Sequence, residues 1–155
     1  MTKQPIKNIC LLLMLCGFLL GLAACTDSTE YAEVNNETGR WYSTAQINEG
    51  NILFQQFCAV CHGDQAQGLA EDWRVRDSEG NLPPPPLNGT AHAWHHPLAV
   101  LDQVIAEGGA LYEGNMPGFS GQLDKEERHA VIAYFQSLWN DEIYQNWLRI
   151  NDQQN

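Results

Sequence analysis

The 155-residue chain carries 8 Lys and Arg against 19 Asp and Glu, a formal net charge of −11. That acid excess argues against a nucleic-acid binder, because no basic face is available to displace counterions from phosphates. With 44% hydrophobic and 17% charged residues the chain is too apolar to be wholly disordered, and its length suits one domain.

Lys3 and Lys7 form a short positive region ahead of an apolar run from Ile9 to Ala24. The run has 16 residues, whereas a helix crossing the hydrocarbon needs about 20. Its charged start and small-residue end are those of an export signal with a cleavage site, an uncleaved anchor being the alternative. Leu22-Ala23-Ala24-Cys25 resembles the lipobox of bacterial lipoproteins. The resemblance implies that residues 1–24 are a signal peptide, cut before Cys25. It also implies diacylglycerol on the Cys25 sulfur and an acyl chain, palmitate for example, on the new amino terminus. Several acyl chains hold a protein to a bilayer far more firmly than one. The rest of the chain is then expected in the periplasm or on another extracytoplasmic face, anchored to the cell membrane or the outer membrane. Thr26 stands where some bacteria read an aspartate as an inner-membrane retention signal, which favours the outer membrane.

Loss of the signal removes Cys10, Cys16, Met1 and Met14. Beyond the lipid-bearing Cys25, the only cysteines are then Cys58 and Cys61, and Met116 is the only methionine.

Residues 25–42 comprise the lipidated cysteine and a polar stretch with Asp27, Glu30, Glu33 and Glu37. This reads as a flexible acidic tether reaching roughly 20–25 Å. Residues 43–155 form the domain, and its pattern is helical. Ile47, Gly50, Leu53, Phe54 and Phe57 make an apolar stripe that ends just before Cys58. Pro83 to Pro86 excludes helix and suits an extended loop. Pro97–Glu107 carries Leu98, Leu101, Val104 and Ile105 as a second short helix, ended by Gly108-Gly109. A third helix opens at Asp124 with a capping box to Glu127; its core face is Val131, Ile132, Phe135, Leu138 and Trp139. Ile143, Trp147 and Ile150 extend the chain helically, as a separate segment or a continuation. Nothing alternates as a strand, so the expected class is all-α with few, short helices. The long loops Gly63–Trp94 and Gly108–Leu123 need something to pack against, and a large apolar cofactor would supply it.

Cys58-Ala59-Val60-Cys61-His62 is C-x-x-C-H, the attachment motif of a c-type haem. Two thiols three residues apart on one turn can each add to a porphyrin vinyl group, and the adjacent histidine can then bind iron as the proximal ligand. Three other readings compete. A redox C-x-x-C pair normally sits at a strand-to-helix junction, which this chain lacks. A structural zinc site wants two further ligands. A plain disulfide is the third. Met116 lies in Gly114-Asn115-Met116-Pro117-Gly118-Phe119. A lone methionine ordinarily fills core space. As the only one left, in a Gly/Pro loop ahead of the carboxy-terminal helix, it reads as the sixth iron ligand.

These features resemble the class I monohaem cytochromes c over about Ala45 to Trp139. Gly50-Asn51-Ile52-Leu53-Phe54 matches the family's amino-terminal helix, with Gly50 permitting close crossing by the last helix, where Val131 and Tyr134 are the matching partners. Pro85-Pro86-Leu87-Asn88-Gly89 resembles the family's loop after the attachment site. The resemblance implies that a proline carbonyl there accepts a hydrogen bond from the proximal imidazole; Pro85 aligns best, with Pro86 the alternative. Trp94 stands where the family often has a tryptophan directed at a haem propionate. The segment 63–82 is longer than in the smallest members, leaving Arg74 and Arg76 as candidate propionate partners.

His92, His95 and His96 flank Trp94 and read as surface or propionate-side polar residues, with a second metal site or substitute axial ligand as the alternative. His129 reads as a solvated helix residue, and Trp41, Tyr42 and Trp73 as packing residues. Glu126, Glu127, Asp141 and Glu142 read as solvated helix-end charges. The expected function is one-electron transfer through one covalent haem c held by Cys58 and Cys61 and ligated by His62 and Met116. Redox proteins would serve as donor and acceptor, one docking through a basic patch, and no small-molecule substrate is expected. The role would be that of a free carrier or an electron-transfer subunit of an oxidoreductase. The alternative is a peroxidase-like enzyme or gas sensor with an open or displaceable sixth site.

Overall fold

The computed structural model describes residues 34–112 and 114–153; the export signal, Cys25 and residues 26–33 of the tether lie outside them. The described residues form five α-helices and two short 3-10 turns, with no strand among them.

Helix α1 (Thr44–Phe57) starts at Ser43, whose hydroxyl accepts from Gln46 N while the Gln46 side chain accepts from Ser43 N. The reciprocal bonds satisfy two of the donors a helix leaves unpaired at its start. Helix α2 (Ala59–His62) is a single turn directly after Cys58. Helix α3 (Leu98–Glu107) ends at Gly108, and α4 (Lys125–Ser137) opens with the expected Asp124–Glu127 capping box. Helix α5 (Asp141–Gln153) is separate from α4. The break at 138–140 exposes Leu138, which the sequence pattern had assigned to the core face.

Helices α1 and α4 cross at Gly50, and Phe54, Val131, Ile132 and Phe135 close the core around that crossing. Helix α5 adds a second aromatic layer, in which the Trp147 ring lies 5.5 Å from Tyr144 and 6.3 Å from Trp139 in the break before the helix. No helix among the described residues is long and apolar enough to cross a membrane.

The tether had been expected to run as far as Tyr42; the structure corrects that boundary. Tyr42 is 1% exposed. Arg40 donates to Gln136 O at 2.8 Å and Trp139 O at 3.0 Å, and its guanidinium lies 4.4 Å from the Tyr144 ring centroid. It thereby caps carbonyls at the end of α4, where a cation is favoured. Trp41 Nε1 donates to the buried Gln136 Oε1 at 2.7 Å. Composition marked this stretch as polar; its cation and two aromatics tie it down.

His129 also departs from expectation. It is mostly buried, edge-on to Trp41 at 5.9 Å, with Nε2 3.9 Å from Asp102. Asp102 in turn receives two bonds from Arg128, at 2.8 and 3.3 Å, tying α3 to α4.

Candidate haem site

Cys58 is the C-cap of α1 and the N-cap of α2, so the end of one helix and the turn of the next place the motif. Cys58 is buried and Cys61 exposed, both as free thiols. Burial, reinforced by the neighbouring Cys61, pushes the Cys58 thiol up to about 11. Reactive redox cysteines sit in surroundings that lower this value and stabilise the thiolate. The site therefore lacks the electrostatics of a redox C-x-x-C pair.

His62 is 7% exposed, and its Nδ1 stands 2.9 Å from Pro85 O. A carbonyl can only accept, so Nδ1 carries the proton and Nε2 keeps the lone pair that binds metal. Burial holds the imidazole below its ordinary value, with the Pro85 bond opposing, so the ring is neutral near pH 7. Of the two prolines the sequence left open, Pro85 is the one that makes this contact.

The Pro85 loop is fixed by its neighbours. Leu87 N and Asn88 N both donate to Ala66 O, at 2.7 and 3.1 Å, while Gly68 N donates to His62 O at 2.7 Å. Ala66 adopts φ +55°, the left-handed region, which turns the chain back beneath the histidine. Leu87 O accepts from Trp139 Nε1 at 2.7 Å. Leu87 and Trp94 are both half-buried against the core.

Met116 is half-buried against the same core. Its loop is pinned to the end of α3: Gly109 N donates to Met116 O at 2.9 Å, Phe119 N to Ile105 O at 2.9 Å, and Ser120 N to Ala106 O at 3.1 Å. Gly108 has φ +90°, and a Cβ there would lie 2.6 Å from Met116 O. The paired glycines thus serve close packing of the methionine loop on a helix end, besides the helix stop that the sequence suggested.

The residues present fit a haem. Two thiols and an oriented neutral imidazole lie on the single turn α2 and its N-cap. Leu69, Leu111 and Tyr112, on the segments that carry His62 and Met116, are large apolar side chains left 55–72% exposed. A porphyrin face would cover such surface.

The candidate propionate partners are engaged elsewhere. Arg74 lies over the Trp73 ring at 4.9 Å and contacts Asp72 at 3.4 Å, and Arg76 Nη1 donates to Gly80 O at 2.7 Å. Trp94 stacks on His95 with centroids 3.7 Å apart. His92 packs between Trp73 (4.8 Å) and His96 (5.6 Å). Among the described residues no group of three or more His, Cys, Asp or Glu could hold a metal ion.

Trp139, Trp147 and Asn151 were missed as site-supporting residues. Trp147 Nε1 donates to His96 O at 2.9 Å, and Leu98 N donates to Asn151 Oδ1 at 3.0 Å. The apolar spacing of the two tryptophans was visible in the sequence, but Asn151 fell outside it and the destinations of all three residues' polar atoms carry no sequence signal.

Comparison with known proteins places the site in a family. Residues 45–135 match the family model for cytochrome c oxidase, cbb3-type, subunit III. The chain is similar to the cbb3-type cytochrome c oxidase subunit CcoP of Azospirillum sp. (strain B510), at 26% identity over 100 residues. That alignment covers 64% of this chain and 31% of the relative, so the chain spans about a third of that protein. No solved structure matches the chain. A family model spanning more than half the sequence, over an all-α core built around C-x-x-C-H, shows that the chain belongs to the cbb3-type subunit III family of c-type, electron-transfer cytochromes.

Proposed function

We propose that the protein is a membrane-tethered one-electron carrier in which Cys58 and Cys61 hold one haem c and His62 and Met116 ligate its iron. When bound, the haem supplies a ferric/ferrous couple. The protein's own residues do the rest. The Pro85 carbonyl orients the His62 ring and makes its Nε2 a stronger donor. The pinned methionine loop would offer the Met116 thioether as the second iron ligand, which would favour the ferrous state and leave no site for substrate. Cys25 carries the lipid that keeps the domain near its membrane-bound partners. The printed name of the relative extends this reading to service beside a cbb3-type oxidase, as electron-transfer subunit or free carrier.

The observation that carries the proposal is the 2.9 Å contact of His62 Nδ1 with Pro85 O, directly after a C-x-x-C turn. The test is the optical spectrum of the purified ferric protein, which should show the weak far-red sulfur-to-iron band. Met116→Ala should abolish that band and open the ferrous iron to carbon monoxide, while Cys58→Ala or Cys61→Ala should lose covalent haem. A band that survives Met116→Ala without carbon monoxide binding would mean another ligand.

A further inference from the structure

Trp139 lies in the break between α4 and α5, beyond the segment that the family model matches. Its ring is 2% exposed, and its one polar atom, Nε1–H, donates to Leu87 O at 2.7 Å. Leu87 follows Pro85 by two residues and is otherwise held by its own N–H on Ala66 O. The loop also approaches the indole closely: at Gly89, φ +93°, an added Cβ would meet Trp139 Cδ1 at 3.1 Å and Ile143 Cδ1 at 3.1 Å. Phe135 and Trp147 flank the same ring at 6.0 and 6.3 Å. One buried side chain therefore fixes the far end of the loop whose near end orients the histidine.

We propose that Trp139 is a positioning residue for the axial histidine. Through Leu87, its indole N–H sets where the Pro85 carbonyl stands and so how strongly His62 Nδ1–H is bound. The inference rests on His62 as an iron ligand. A weakened bond at Nδ1 leaves the imidazole a poorer donor, stabilises the ferric state less and raises the midpoint potential.

A purely space-filling role would produce none of this, and two variants separate the cases. Trp139→Phe keeps a buried ring and deletes the N–H. Trp147→Phe deletes an equivalent N–H, donated to His96 O at 2.9 Å, from the same aromatic layer without touching the Leu87 loop.

The experiment uses the full-length, haem-loaded protein, reading midpoint potential, melting temperature and NMR exchange of the His62 Nδ1 proton and the Leu87 and Asn88 amides. Trp139→Phe should raise the potential and speed those exchanges about tenfold. Trp147→Phe should lower the melting temperature comparably and move neither. If Trp139→Phe fails to accumulate, exchange in the unmutated protein reads the same link: the Trp139 Nε1, Leu87 N and His62 Nδ1 protons should exchange at one common rate, and unrelated rates would overturn the inference. Unchanged potential and exchange in the variant examined would overturn the inference, as would equal shifts in Trp147→Phe. Failure of the underlying haem reading shows separately, as unmutated protein without covalent haem.

Discussion

Gly50 of α1 rests directly on the main chain of Ala130 in α4: a Cβ built on Gly50 would stand 1.8 Å from the Ala130 carbonyl oxygen. Backbone cannot yield as a flexible side chain can, so Gly50→Ala must force the two helices apart. Because α1 ends at Cys58, this crossing also sets where the attachment turn lies. The variant should lose about 3 kcal/mol of stability, the upper range for overpacking. A chemical melt showing a loss below about 1 kcal/mol would contradict the crossing geometry.

Helix α3 begins at Leu98 behind Pro97, which has no side-chain acceptor to offer. Asn151, three turns along α5, supplies one at 3.0 Å. Asn151→Ala should therefore cost about 1 kcal/mol, as loss of an ordinary N-cap does. Asn151→Asp keeps the acceptor and suits a helix start, but at 3% exposure its carboxylate is desolvated, so it should recover only part of the loss. Urea melts of the three proteins decide it.

The parts of this molecule that were legible in its sequence are those with local causes. The C-x-x-C-H turn, the Asp124 capping box and the Gly108-Gly109 stop all depend on residues within a few positions of one another. Arg40 was illegible because its acceptors, Gln136 O and Trp139 O, are backbone atoms nearly a hundred residues away. Leu138 fits the 3.6-residue period of α4, but the helix ends one position before it, which turns an apparent core residue outward. His129 looked solvated because nothing in its own helix announces Asp102 or Trp41 across the packing interface.

Burial holds both His92 and His96 below the ordinary histidine range. Their neighbours add to this: His96, His95 and Arg74 act on His92, and His95 acts on His96. A base whose folded value lies below its unfolded one binds fewer protons in the native state. Below about pH 6.5 the unfolded chain takes up protons that the folded one refuses, so stability falls as pH drops toward the folded values. The double variant His92→Gln/His96→Gln should therefore lose less stability between pH 7.5 and 5.5 than the parent does. Parallel curves for the two proteins would show that the cluster contributes nothing to acid sensitivity.

Cys25→Ser, expressed behind an ordinary cleavable signal, should release soluble protein that still carries haem. The prediction follows from assigning the anchor to acyl chains rather than to the apolar run. Fractionation of washed membranes reads the outcome. Variant protein that stays with the membrane would place the anchor in the apolar run or in a bound partner.

The net charge of −11, most of it contributed by acids beyond Glu37, sets the expected chemistry of the partner. Two of the domain's cations are already committed: Arg40 pairs with Asp141 at 2.9 Å and Arg128 with Asp102 at 2.8 Å. An electron carrier works through brief encounters, in which complementary charge raises the association rate more than the affinity. The partner should therefore present a basic patch, and steering should be strongest at low salt. At about 0.15 M salt the Debye length is about 8 Å, so only charges close to the contact survive screening. Stopped-flow electron transfer with the native partner should slow by about tenfold as salt rises from about 20 to 200 mM. A rate that holds level or climbs over that range would show that the acidity serves solubility, not docking.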